Sequence, residues 1–116
     1  MQKESKRCKE HEDDICLCSI EGIMSILSKK WALLIISAIG NNQKLRFSEL
    51  EKKLDKISPK TLADRLKELE NANIIKRESF AQIPPRVEYS LTKEGAELRN
   101  AIKPLIKWVS SRDSQK

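Results

Sequence analysis

Apolar residues recur along this chain with two periods, and the switch between them marks out its elements. Ile20, Ile23, Met24 and Leu27 follow helical spacing behind Ser19, a residue type that caps helices. The run Trp31-Ala-Leu-Leu-Ile-Ile-Ser-Ala-Ile39 is apolar on nearly every face, which predicts a central buried helix, and Gly40-Asn41-Asn42 should stop it. Leu45-Arg46-Phe47 suits a short strand. A small helix follows over residues 49–54, capped by Ser48, with Leu50 and Leu54 inward and a capping-box sequence at its start. Ser58 and Pro59 then fit the N-cap and first position of a helix running to about residue 73, with the single stripe Leu62, Leu66 and Leu69. Beyond it the composition is that of paired strands, residues 74–78 and 86–91, joined by a loop that Pro84 and Pro85 stiffen. Thr92 caps a last helix with Leu98, Ile102, Leu105, Ile106 and Val109 on its apolar stripe, and Pro104 predicts a kink or a division. Both tryptophans sit at helical spacing and read as core, Trp31 as an anchor.

The predicted fold is mainly α with a small β-hairpin wing, an α+β winged helix-turn-helix in which two unlike helices are joined by a short turn. Such a motif lays its first helix across a DNA backbone and offers the N-terminal residues of the second to base edges. Here those residues, pointing away from the leucine stripe, are Ser58, Lys60, Thr61, Asp64 and Arg65. Lys60 and Arg65 can donate to guanine edges or phosphates, and Ser58 and Thr61 to either. Asp64 can accept from cytosine, but orienting Lys60 or Arg65 within the helix is the better reading. Arg86 beside the stiff loop suits a narrow minor groove, and pairing with Glu78 or Glu88 along the strands suits it equally. Lys76 and Arg77 alternate across the strand, so one of them should face DNA, while Lys44 and Arg46 are candidates for phosphate contact.

Charge sharpens the picture. The 116 residues carry a net charge of +6, and the excess is local: residues 44–86 hold eleven Lys or Arg against seven Asp or Glu, and residues 1–18 hold four against five. The length suits one domain with one core. Its expected limits are a flexible polar tail over residues 1–15, the winged domain over 16–111 and a short tail over 112–116. No stretch approaches the ~20 apolar residues that span a bilayer, so a cytoplasmic protein without membrane contact is expected. One histidine, no Gly-rich phosphate loop and no convergent acid–base set leave little for an enzyme to work with. The rival non-enzymatic reading is a winged helix used for protein–protein assembly within a larger transcription complex.

The chain resembles the HxlR-type family of winged helix-turn-helix transcriptional regulators, relatives of the MarR-type regulators. The residues that carry the likeness are Cys18-Ser-Ile-Glu21, Lys30-Trp31, Arg46-Phe-Ser-Glu-Leu50, Ile57-Ser-Pro-Lys-Thr-Leu62, Leu66-Lys-Glu-Leu-Glu70 and Pro84-Pro-Arg-Val-Glu-Tyr-Ser-Leu-Thr-Lys-Glu-Gly95. It covers about residues 16 to 110, and the last motif is the most specific. The resemblance implies a homodimer, built through the first and last helices, on a pseudo-palindromic operator in double-stranded DNA; Trp108 then becomes an interface residue. Two departures stand out: Ser19 where the family usually has proline after the cysteine, and Lys29 where it usually has glycine before Lys-Trp.

All three cysteines and the histidine fall together, as Cys8, His11, Cys16 and Cys18. In some relatives the cysteine matching Cys18 senses oxidants or electrophiles, so the resemblance implies that role for Cys18 alone. A thiolate there would be favoured by the start of the predicted first helix. Cys3His is also a familiar zinc set, although the spacing lacks the usual paired cysteines. The third reading is plain: Cys16 and Cys18 pack at a helix entry and no cofactor is bound.

Overall fold

The structure, a computed structural model, describes residues 22–113. Its elements are α1 (Ile23–Leu27), α2 (Ala32–Asn42), β1 (Lys44–Arg46), α3 (Phe47–Lys53), α4 (Pro59–Asn71), β2 (Ile75–Phe80), β3 (Arg86–Leu91) and α5 (Lys93–Asp113). The three strands form an antiparallel sheet in the order β1-β3-β2, with Leu45 opposite Tyr89 and Glu78 opposite Glu88. Ser19 and Ile20, expected to open the first helix, lie outside the described residues, as do both expected tails except Arg112 and Asp113.

The core gathers around α2, whose Ala32, Ile35, Ile36 and Ile39 are fully buried. Leu50 of α3 and the stripe Leu62, Leu66 and Leu69 of α4 close on it from one side, and Ile75 joins from the sheet. Each such side chain contributes about 1.5–3 kcal/mol of transfer free energy. The α2 run is not buried all round, however: Leu34 is exposed. Trp31 is half-buried against the core, immediately before the helix.

Four local expectations need correction. Gly40-Asn41-Asn42 does not stop α2; the helix runs to Asn42 and ends at Gln43, which takes φ 68°. Asn42 Nδ2 donates to Ala38 O at 2.8 Å, covering one terminal carbonyl, and Gly40 serves as a crossing point for the Arg99 side chain. At the next boundary Phe47 opens α3 rather than closing the strand, and the cap position is Arg46, not Ser48. Glu49 sets that register, because its carboxylate accepts the Arg46 backbone N–H at 2.8 Å. Arginine has no side-chain acceptor, so only this half of a capping box exists. Strand β2 runs on to Phe80, since the ladder continues to the Phe80–Arg86 pair. Finally, of the kink or division expected at Pro104, the division does not occur: α5 runs through it as one helix. The carbonyl of Asn100 loses its helical partner there, but both residues are exposed and water can serve it.

Other boundaries follow the chemistry expected of them. Ser58 Oγ accepts the Thr61 N–H at 3.0 Å to start α4, with Pro59 in the first turn. Thr92 ties the start of α5 to the end of α4: its hydroxyl donates to Asn73 O at 2.6 Å and accepts the Gly95 N–H at 3.0 Å. The stripe of α5 splits in two. Leu98 and Ile102 pack on the core, whereas Leu105, Trp108 and Val109 stand exposed, so Trp108 is not a core residue of the single chain.

Candidate nucleic-acid interface

Helices α3 and α4 are joined by residues 54–58, and Leu54 and Ile57 are buried at either side of the turn. Lys56 takes φ 78° between them. The two apolar residues anchor the turn, which fixes the angle of α4 relative to α3. With its leucines inward, α4 shows Lys60, Asp64 and Lys67 to solvent along one line. Lys60 Nζ lies 3.0 Å from Asp64 Oδ2, one turn on, so Asp64 does orient a neighbour, and that neighbour is Lys60. Ser58 Oγ donates to Thr61 Oγ1 at 2.9 Å, so the two hydroxyl residues are engaged with each other at the helix tip.

Arg65 is placed differently from its expected outward flank. Its guanidinium pairs with Glu68 on the same helix, and its side chain is only 18% exposed. Glu68 also accepts from Lys29 Nζ at 2.9 Å. The three charges tie α4 to the segment between α1 and α2, so Lys29, a departure from the family pattern, acts as a brace. Donation from Lys29, then from Arg65, holds the Glu68 carboxyl below the usual glutamate range. A carboxyl lowered in the folded state stabilises the fold above its unfolded pKa, and that contribution fades as pH falls through the lowered value. Glu68→Gln is therefore expected to melt below wild type at pH 7, with the gap closing in acid, below the ordinary glutamate pKa of about 4.3. Melting curves from neutral to acid pH check this; a gap independent of pH would remove the charge network from the account.

The wing is the β2–β3 hairpin. Arg86 is the first residue of β3 and lies back along the ribbon rather than at its tip. Its guanidinium carbon sits 4.6 Å from the Phe80 ring centroid, and Nε is 3.4 Å from Glu88 Oε2. Of the two carboxylates considered as partners for Arg86, Glu88 takes the role, while Glu78 lies 3.9 Å from Lys44. Lys76 and Arg77 are both exposed, because β2 is an edge strand with little packed on either side. Residues 81–85 form the tip and are all exposed. At the opposite edge of the sheet, Lys44, Lys52 and Lys53 line an open cleft of about 400 Å³ with Asn42, Leu45 and Glu49. Arg46 is exposed beside it.

The structure thus brings Lys44, Arg46, Lys60, Lys76 and Arg77 to the surface, and holds Arg65 and Arg86 in internal pairs. Sequence reasoning left Lys67 off the interface, although its spacing of seven from Lys60 places both on one face. It also missed the exposed Gln82 and Ile83 at the wing tip. Cys8, His11, Cys16 and Cys18 lie outside the described residues, so the thiol and zinc readings rest on the sequence alone. Among the described residues no cluster of His, Cys, Asp or Glu could hold a metal ion. No helix among them is long and apolar enough to cross a membrane.

Comparison with known proteins agrees with this geometry. A family model described as HxlR-like helix-turn-helix matches residues 26–116. YvaP of Bacillus subtilis, an uncharacterized HTH-type transcriptional regulator, is 40% identical over 90 residues, covering 78% of this chain and 82% of that one. The reduced form of the transcriptional regulator YodB from B. subtilis is 36% identical with a TM-score of 0.66, over 74% of this chain and 83% of that one. The redox regulator HypR in its oxidized form is 31% identical with a TM-score of 0.72, over 77% and 91%.

Proposed function

This chain belongs to the HxlR-like helix-turn-helix family of transcriptional regulators, and from that premise we propose that it is a homodimeric repressor of a pseudo-palindromic operator. Each protomer lays α4 in a major groove, and the two half-sites lie one helical turn apart, ~34 Å. The observation that carries this reading is the outward line Lys60, Asp64 and Lys67 on a helix whose opposite face is locked into the core, beside an exposed wing. Lys60, steadied by Asp64, reaches base edges or phosphates together with Ser58 and Thr61. Arg65 serves by holding α4 in place through Glu68. Lys44, Arg46 and Lys76, which the strand register puts on one face of the sheet, meet the sugar–phosphate backbone, and Arg77 lies on the opposite face. Arg86 sets the wing through Phe80 and Glu88. Bound across a promoter, such a dimer blocks polymerase, and it works where the chromosome is, in the cytoplasm.

Duplexes selected from fragments of the source genome supply the test. Affinity should fall steeply with salt, since cations displaced from phosphates return to the DNA. Lys60→Ala should weaken binding by about tenfold or more, the cost of losing about 1–3 kcal/mol of contact, and Arg86→Ala should weaken it by freeing the wing from Phe80 and Glu88. Their melting temperatures should stay near that of wild type. Binding that ignores salt and both substitutions would favour the assembly-module reading instead.

For the signal, we propose the Cys18 thiol. Structures of YodB and of the redox regulator HypR among the similar proteins support that choice. Oxidant should release wild-type protein from the selected duplexes and leave Cys18→Ser bound. If the reduced protein instead carries zinc through gel filtration, a metal site over Cys8, His11, Cys16 and Cys18 replaces the sensor.

A further inference from the structure

Among the described residues, Ile83 is the one large apolar side chain left completely in water, at 101% exposure, where the next most exposed, Trp108, stands at 59%. Isoleucine belongs to the residue types most often found fully buried. Here it is held out by the local construction of the loop. Pro84 and Pro85 follow it, each fixing its own φ and removing the freedom to fold back. Below the tip, Phe80 and Arg86 are cross-strand partners with the guanidinium stacked over the ring, which closes the hairpin. On the entry side, the Gln82 N–H donates to Phe80 O at 2.8 Å. The resulting tip, residues 81–85, carries no charged side chain, so nothing charged must be stripped of water when it enters an apolar space.

We infer that the wing tip is a minor-groove wedge: Ile83, backed by Pro84, enters between two stacked base pairs and bends the operator. The inference rests on the DNA-binding reading above and adds to it a site of specificity that reads deformability rather than base edges. Isoleucine and proline are among the side chains that proteins insert at base steps, and arginine and glutamine are among those that read the flanking minor groove. Gln82 occupies such a flank, directly before the apolar residues. Insertion costs least where stacking is weakest, so the step under each wing should be pyrimidine–purine, TA or CA/TG. The bend should open the duplex toward the major groove, by roughly 20–90° in total.

The test uses the full chain and a 30-base-pair duplex taken from its selected sites, rebuilt as a series with 2-aminopurine at one position each. Binding of wild type should raise fluorescence several-fold at one position outside each half-site, and end-to-end energy transfer should report a bend. Ile83→Ser, a change at a fully exposed position, should keep the fold, lose the fluorescence rise and most of the bend, and bind about tenfold more weakly. Wild-type binding with no unstacking at any position would overturn the wedge and leave the regulator standing. A rise that persists in Ile83→Ser would overturn it too, since another side chain would then be inserted. Failure of wild type to enrich any duplex would remove the DNA-binding reading itself, and the wedge with it.

Discussion

Gly95→Ala is expected to destabilise the domain strongly. A Cβ added at Gly95 would lie 2.0 Å from the Ile74 carbonyl oxygen and 3.3 Å from Leu91 Cβ. The carbonyl cannot step aside cheaply, because it accepts the Thr92 N–H at 3.0 Å and Ile74 is buried. The glycine here supplies clearance where α5 starts against the end of α4, not an unusual backbone angle. Over-packing against a fixed backbone should cost about 3 kcal/mol or more, a large part of the roughly 5–15 kcal/mol that holds such a domain together. The melting temperature should fall by about 10–20 °C. Gly40→Ala provides the contrast. Its Cβ would strike Arg99 Cδ at 2.0 Å, but that is the far end of a flexible side chain. Arg99 can swing away, giving up its bond to Asn41, while alanine in a helix gains about 1 kcal/mol over glycine. Thermal scans of both variants at one protein concentration decide the matter. Equal shifts would show that the Ile74 carbonyl is not fixed as described.

The same two glycines show what the sequence could and could not reveal. Gly40 read as a helix stop because it precedes two asparagines, and only the position of Arg99, far along the chain, makes it a packing residue. Gly95 belonged to a recognisable motif, yet its clearance depends on Ile74, brought close by the turn at Asn73. Elements governed by local chemistry were legible: the Ser58-Pro59 start of α4, the Thr92 cap, the leucine stripe and the paired strands each depend on neighbours within a few residues. The interface was legible as an outward face but not as a set of free charges. Arg65 turns to Glu68, an i,i+3 partner that the helical spacing offered, whereas the contact of Lys29 with the same carboxylate, 39 positions before Glu68, follows from no local pattern. Arg86 likewise draws back because Phe80 lies directly across the hairpin, a register that the extended β2 strand establishes. That leaves Ile83 as the outermost residue of the wing.

Placing glutamate at both Leu105 and Trp108 is expected to separate the dimer and to weaken operator binding by about 10²–10⁴-fold, the advantage of linking two half-sites. Among its described residues a single protomer leaves apolar side chains of two helices uncovered. Leu105, Trp108 and Val109 lie on one face of α5, at spacings of three and four, with Arg112 stacked 5.1 Å from the Trp108 ring. Ile23 and Met24 of α1 are exposed as well, and α1 has five residues with none buried. A helix that short has no stability of its own in water and needs a surface to lie on. A shallow, solvent-open depression lined by Ile23, Ala72, Ile74, Glu94, Glu97 and Leu98 lies between α1 and the start of α5. A second copy, related by a two-fold axis, would cover both helices at once, since a symmetric contact uses the same patch twice. The substituted side chains are outside the core, so far-ultraviolet dichroism should stay near wild type while sedimentation equilibrium reports a monomer. A double variant that remains dimeric would move the interface elsewhere. One that is monomeric yet binds as tightly as wild type would mean that a single α4 and its wing suffice.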